Sequence, residues 1–166
     1  MILKQKQTGY LLTRPLLAAL KTYFISRDAY IESEIDYAEI QLNPTLAWKN
    51  TYPKQIVFCE GHHARTNPWF LSLPFQPVKG EIITASAKQQ IQQHILNYGH
   101  WFIPLDKYQF RTGASFDRDN LNTNTSTEAK ETLLNSLKQA YPSLKVDNII
   151  DQQAGIRPTT LDKMPF

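Results

Sequence analysis

Among the 166 residues, Arg157 has the best local setting for chemistry. It stands in Ala154-Gly155-Ile156-Arg157-Pro158, between glycine and proline at a strand end, where the backbone is fixed and the guanidinium can be aimed. Arginine takes a carboxylate through a planar fork that makes two bonds at once. The same fork serves structural ion pairs, and spacing alone leaves both readings open. A second concentration of useful side chains is aromatic: Tyr98, Trp101, Phe102, Tyr108 and Phe110 fall in one stretch. Alternation sends some of these rings to the core and others to the opposite face, where they could line a cavity for a small organic substrate. Single-stranded nucleic acid would stack on such rings too, but only Lys107 and Arg111 stand nearby, too few for a backbone track.

Other chemistries find less support. The glycines Gly9, Gly61, Gly80, Gly99, Gly113 and Gly155 are far apart, so neither a dinucleotide-binding fingerprint nor a phosphate-cradling loop is present. Cys59 and His62 have a ligand-like gap, with His63, His94 and His100 as further donors, but a structural zinc needs four ligands and no second pair stands out. A Cys59–His62 nucleophilic pair lacks an orienting acid. Glu32, Glu34, Asp36 and Glu39 read as the wet face of a meander rather than an acid–base pair.

The elements that must position these residues follow from periodicity. Leu16, Leu17, Leu20, Tyr23 and Phe24 recur at helical spacing after Pro15, a residue tolerated in a first turn. Alternation over 29–35 predicts a half-buried strand, and two short strands follow at 38–42 and 45–49 around an Asn43-Pro44 turn. The run Lys54-Gln55-Ile56-Val57-Phe58-Cys59-Glu60-Gly61 is nearly all apolar at its centre, which predicts a strand covered on both faces. A strand over 78–85, a hairpin of 98–105 and 108–116 turning at Asp106-Lys107, and a strand over 146–153 complete the sheet. The 89–96 segment has no decisive period. A polar loop, 117–127, ends in a Thr125/Glu128 capping box, and Ala129, Leu133, Leu134, Leu137 and Tyr141 then make a helix face that Pro142 stops.

Composition bounds the whole. With 42% hydrophobic and 20% charged residues the chain is an ordinary globular one, which excludes collagenous and disordered readings. A net charge of +3 is too small to argue for nucleic acid or an anionic membrane. One cysteine excludes an internal disulfide framework and fits a reducing compartment. The longest apolar stretches fall far short of the roughly 20 residues of a spanning helix, and no export signal is visible, so the expected location is cytoplasmic.

Taken in order, several motifs resemble the family of FAD-dependent oxidoreductases that includes D-amino-acid oxidase, glycine oxidase and sarcosine oxidase. They are Gly9-Tyr10-Leu11-Leu12-Thr13-Arg14-Pro15-Leu16-Leu17 before a helix, Val57-Phe58-Cys59-Glu60-Gly61, Pro77-Val78-Lys79-Gly80-Glu81-Ile82, and Ile103-Pro104 leading to Arg111-Thr112-Gly113-Ala114-Ser115. The series closes on Ala154-Gly155-Ile156-Arg157-Pro158-Thr159-Thr160-Leu161-Asp162-Lys163-Met164-Pro165. The resemblance implies an oxidation of a small-molecule amine or amino acid by hydride transfer to FAD, in which the protein orients the substrate and excludes water. By motif position, Gly61 would lie near the flavin and adenosine, Lys79 and Gly80 would approach the flavin, and Arg157 would take the substrate carboxylate. Tyr98 and Trp101 would line the substrate side. His62-His63 depart from the aromatic residue the family often carries after its glycine, and Lys107-Tyr108 depart from its usual glycine turn.

The implied fold is α+β, a mostly antiparallel mixed sheet with helices on one face, as in the substrate domain of D-amino-acid oxidase. Residues 1–166 are expected to form one domain, the substrate-binding portion, with a short piece at about 54–72 belonging to a discontinuous FAD-binding domain. The glycine-rich opening and closing helix of that domain are not recognisable, so the chain is expected to be a fragment that does not hold FAD alone and is prone to self-association. Two other readings stand beside this one: oxidation of a modified tRNA base by the parent, and a non-catalytic small-ligand module.

Overall fold

A computed structural model describes residues 3–161 of the chain, so Asp162-Lys163-Met164-Pro165 of the closing motif lie outside the described residues. Two compact units, Met1–Val57 and Phe58–Phe166, divide it. Their boundary falls inside the 54–72 piece that the resemblance assigns to the cofactor domain.

The first unit holds α1 (Thr13–Ile25), with Pro15 in its first turn, where an N–H has no helical partner in any case. Asp28, at φ 51°, stops the helix in a Schellman arrangement: Ala29 N–H reaches Phe24 O at 3.0 Å and Asp28 N–H reaches Ile25 O at 3.1 Å. The apolar face is as periodicity predicts, yet α1 buries none of its residues. The strand expected over 29–35 does not form. An alternating run becomes a strand only against an edge that takes up its N–H and C=O groups, and the described residues give it none. Lys21 bonds Glu32 at 2.8 Å instead, which holds the Glu32 carboxyl below its ordinary value. A short 3-10 turn at Tyr37–Glu39, capped by Asp36 accepting from Ala38 N–H at 2.9 Å, leads into β1 (Ile40–Gln41) and β2 (Ala47–Trp48). These pair antiparallel around Asn43-Pro44, as the turn residues require.

Another departure spans the end of the first unit and the start of the second. Residues 54–60 are not a strand, and Val57 is 73% exposed. A run of that composition becomes a central strand only between parallel neighbours. Phe58 instead packs on Trp69 and Phe70, with ring centroids 5.3 and 5.7 Å away. A 3-10 helix, Gly61–Thr66, follows.

The body of this unit is a five-stranded sheet in the order β4-β5-β6-β3-β7. The strands are β3 (Val78–Ala87), β4 (Leu96–Asn97), β5 (Trp101–Pro104), β6 (Gln109–Gly113) and β7 (Val146–Arg157), and every pairing is antiparallel. The β5–β6 hairpin turns where expected, because Asp106 Oδ1 accepts from Tyr108 N–H and Gln109 N–H, both at 2.7 Å. The undecided 89–96 segment is irregular and ends in β4.

One face of the sheet carries α2 (Thr127–Ala140). Leu133 and Leu137 seat against Ile83, Ala85, Phe102 and Phe110, all fully or nearly fully buried. Burying each of these large side chains contributes about 1.5–3 kcal/mol. The helix cap is Ser126, whose Oγ accepts from Ala129 N–H at 3.2 Å, rather than Thr125. The register moved by one because Ser126 is also held by β3: its N–H and Oγ donate to the two oxygens of Glu81, each at 2.9 Å. Glu81 is itself buried and also accepts from Gln152 Nε2 at 2.8 Å and pairs with Lys79 Nζ at 3.3 Å.

Candidate functional site on the open sheet face

Period-two alternation puts a different set of residues on the sheet face away from α2. Arg111 Nε donates to Thr84 Oγ1 at 3.2 Å, which identifies that face. A Cβ added at Gly113 would stand 2.6 Å from Ile82 Cγ2 and 2.9 Å from Trp101 Cζ2, so these three share it. A Cβ added at Gly80 would stand 2.8 Å from Arg157 Nη2. Gly80 pairs across strands with Gly155, where an added Cβ would meet nothing within 4 Å. On the open face the backbone at Gly155 is bare, whereas over Gly80 the Arg157 guanidinium and the Ser115 carbonyl take the place of a side chain, with Ile82, Gln153 and Trp101 beyond. At about 6.6 Å per two residues of strand, the Arg157 and Trp101 rows lie about 13 Å apart.

Arg157 ends β7 opposite Val78 and is exposed. Its Nη2 donates to the Ser115 carbonyl at 3.0 Å, and its guanidinium stands 5.8 Å from the Phe116 ring centroid. Ser115 is a firm support: its N–H donates to Glu81 O at 3.0 Å and its Oγ accepts from Glu81 N–H at 2.8 Å. The bond to Ser115 uses one of five guanidinium N–H groups, which leaves at least one of the two forked edges for a carboxylate.

The other sequence candidates are dispersed. Trp101 shares the open face with Arg157 and Gly80. Tyr98 does not: it packs against the α2-covered core, and its hydroxyl meets Thr112 Oγ1 at 3.0 Å. Burial pushes its phenol up, partly offset by that bond. Lys79 also points to the covered side, where its Nζ is buried with Glu81 and meets Asn122 Oδ1 at 3.3 Å, so no ring on the open face can reach it. Burial would raise the Glu81 carboxyl. The Ser126 N–H, the Gln152 amide, the Ser126 hydroxyl and Lys79 outweigh that and hold it below the ordinary value. Gly61 starts the 3-10 helix at φ 56°, a conformation that favours glycine. His62 and His63 stack with ring centroids 4.0 Å apart, and burial, with His63 and Arg65 beside it, lowers the His62 imidazole. Among the described residues no group of three His, Cys, Asp or Glu side chains could hold a metal, and no helix is long and apolar enough to cross a membrane.

Sequence reading missed Ser115, Phe116 and Gly155 as parts of the site. Gly155 and Ser115 lie within quoted motifs, but only strand register shows that Gly155 faces Gly80 and that Ser115 backs Arg157.

The α+β architecture, with an antiparallel sheet covered on one face by a helix, is the fold the motifs imply. The chain shares its fold with iminodiacetate oxidase from Chelativorans sp. BNC1 (TM-score 0.64, 18% identity, 89% of this chain and 43% of that one). It shares it as well with glycine oxidase from Geobacillus kaustophilus (TM-score 0.58, 22% identity, 69% of this chain and 32% of that one). The bifunctional proteins MnmC of tRNA 5-methylaminomethyl-2-thiouridine biosynthesis from Leptospira interrogans and Vibrio vulnificus are 25% and 26% identical to it over 120 residues. The matched region is 67% of this chain and 18% of each of those relatives. No protein-family model matches the chain.

Proposed function

We propose that this chain is the substrate-side portion of a FAD-dependent oxidoreductase that oxidises an amine or amino acid. The observation that supports this most is a forked cation, Arg157, seated over Gly80 beside the bare backbone of Gly155, in a fold shared with glycine oxidase and iminodiacetate oxidase. Arg157 holds the substrate carboxylate through its free edge. Gly80 lets the guanidinium lie against the sheet backbone, Gly155 leaves room for a flat ring system beside it, and Trp101 with Ile82 shields the reacting carbon from water. Bound flavin supplies the hydride acceptor. The glycines of this chain are too dispersed to cradle the cofactor's phosphates, so in this reading those contacts come from elsewhere in a longer protein. Lys79 acts at a distance, by fixing β3 through Glu81; Gly61 keeps only the position the motifs assign it, and Tyr98, against the α2-covered core, takes no part in the substrate wall.

The test is a titration of the purified chain with small amino-acid carboxylates, followed by calorimetry. Binding by the native chain and its loss in Arg157→Ala is the expected result; equal behaviour of the two makes Arg157 structural. A second reading, oxidation of a modified tRNA base, draws on the MnmC match. It requires salt-dependent tRNA binding by the longer protein, and absence of binding at low salt removes it.

A further inference from the structure

The Arg157 guanidinium is aimed by a carbonyl that regular sheet pairing would occupy. Beside β3, residues 115–117 continue the line of β6. Lys79 and Asp117 exchange both backbone bonds of an antiparallel pair: Lys79 N–H donates to Asp117 O at 2.8 Å and Asp117 N–H to Lys79 O at 3.0 Å. Doubly bonded pairs recur at every second residue of an antiparallel ladder, so Glu81 and Ser115 should make the same exchange. Half of it is present, Ser115 N–H donating to Glu81 O at 3.0 Å. The returning bond goes elsewhere. Glu81 N–H donates to the Ser115 hydroxyl at 2.8 Å, and the Ser115 carbonyl accepts from Arg157 Nη2 at 3.0 Å. That carbonyl is tipped onto the open face, since a Cβ added at Gly80 would stand 3.2 Å from its oxygen, next to the guanidinium.

We propose that Ser115 is the positioning residue of the carboxylate anchor: its hydroxyl takes the ladder bond that its own carbonyl would make, and the released carbonyl aims Arg157. The inference rests on the reading of Arg157 as that anchor. One extra residue, Ala114, separates Gly113, opposite Ile82, from Ser115, opposite Glu81. Such a bulge re-aims the groups that follow it. Serine and threonine carry an oxygen close enough to the main chain to stand in for a carbonyl, and alanine does not. Without the hydroxyl, Glu81 N–H recovers the Ser115 carbonyl as its acceptor, because a buried N–H left unpaired costs more than a turned peptide group. A carbonyl drawn back into the ladder leaves the open face, and Arg157 loses the support that fixes one edge of its fork. The ladder is then complete and the anchor is loose.

The experiment is a calorimetric titration of the full chain with alanine, a small amino-acid carboxylate, with hydrogen exchange of the Glu81 amide followed alongside. Ser115→Ala is expected to lower the affinity about tenfold, the effect of one misplaced charge-assisted contact. The Glu81 amide stays protected in that variant, because it passes to the backbone carbonyl. Ser115→Thr, which keeps the hydroxyl, restores the native affinity, and Arg157→Ala abolishes binding. Native affinity in Ser115→Ala, with binding lost in Arg157→Ala, overturns the role of Ser115 and leaves Arg157 as the anchor. A weakened Ser115→Ala whose Glu81 amide has lost its protection makes the serine merely structural and overturns that role as well. Equal binding by the native chain and Arg157→Ala, or no binding by the native chain, overturns the anchor and the inference together.

Discussion

At the scale of single residues, the site is shaped as much by missing side chains as by present ones. Gly80 leaves space that the Arg157 guanidinium occupies, and a methyl there would lie 2.8 Å from Nη2, the mobile end of a long side chain. Gly80→Ala is therefore expected to keep the fold and push Arg157 off Ser115. Carboxylate affinity should fall about tenfold with little change in thermal midpoint, since one charge-assisted contact is misplaced. Undiminished affinity in that variant would mean that the guanidinium does not use this cradle. Gly113 differs, because its added Cβ would meet Ile82 and Trp101 inside a packed surface. Gly113→Ala should destabilise the second unit by about 1–3 kcal/mol, as overpacking does, measured by denaturant unfolding. The sequence made Arg157 legible through its Gly-x-Arg-Pro setting. It could not reveal Ser115 or Phe116 as its supports, since both lie some forty residues away and meet it only through strand register.

At the scale of elements, what could be read depended on whether an element carries its own partners. The helix over 127–140, the 101–113 hairpin and the long strands β3 and β7 follow from local pattern and turn chemistry; the strands pair within one sheet and the helix packs on it. The runs at 29–35 and 54–61 carry equally good strand patterns and stay irregular, because a strand is completed by a neighbour that pattern alone does not supply. The cap of α2 moved from Thr125 to Ser126 for a tertiary reason, the Glu81 carboxylate. That carboxylate has a folded-state pKa below its unfolded value. Its contribution is therefore fully present above the ordinary glutamate value and is lost as pH falls through the lower folded value. Acid unfolding followed by circular dichroism should show the second unit losing stability below about pH 4.5, the unfolded reference. Glu81→Gln should flatten that dependence and cost about 3–5 kcal/mol at neutral pH, because Lys79 is left buried without its counter-ion. A Glu81→Gln variant as stable as the native chain would show that the network does not anchor the 117–127 loop.

At the scale of the molecule, the distribution of apolar surface sets solution behaviour. Leu16, Leu17, Leu20, Tyr23 and Phe24 are each 40–63% exposed along one helix, and Val57 is more exposed still. Such contiguous apolar surface is costly in water and drives association when nothing covers it. The second unit, in contrast, closes its own core beneath α2, so association should proceed through the first unit without unfolding the second. Sedimentation of the purified chain is expected to show concentration-dependent self-association that Leu16→Lys/Leu20→Lys reduces, while hydrogen exchange in β3 remains slow in both. The same preparation should be colourless, since its glycines make no phosphate cradle. A monomer at all concentrations with a flavin absorbance band would contradict both expectations, and would mean that this chain already contains the surfaces assigned here to a longer protein.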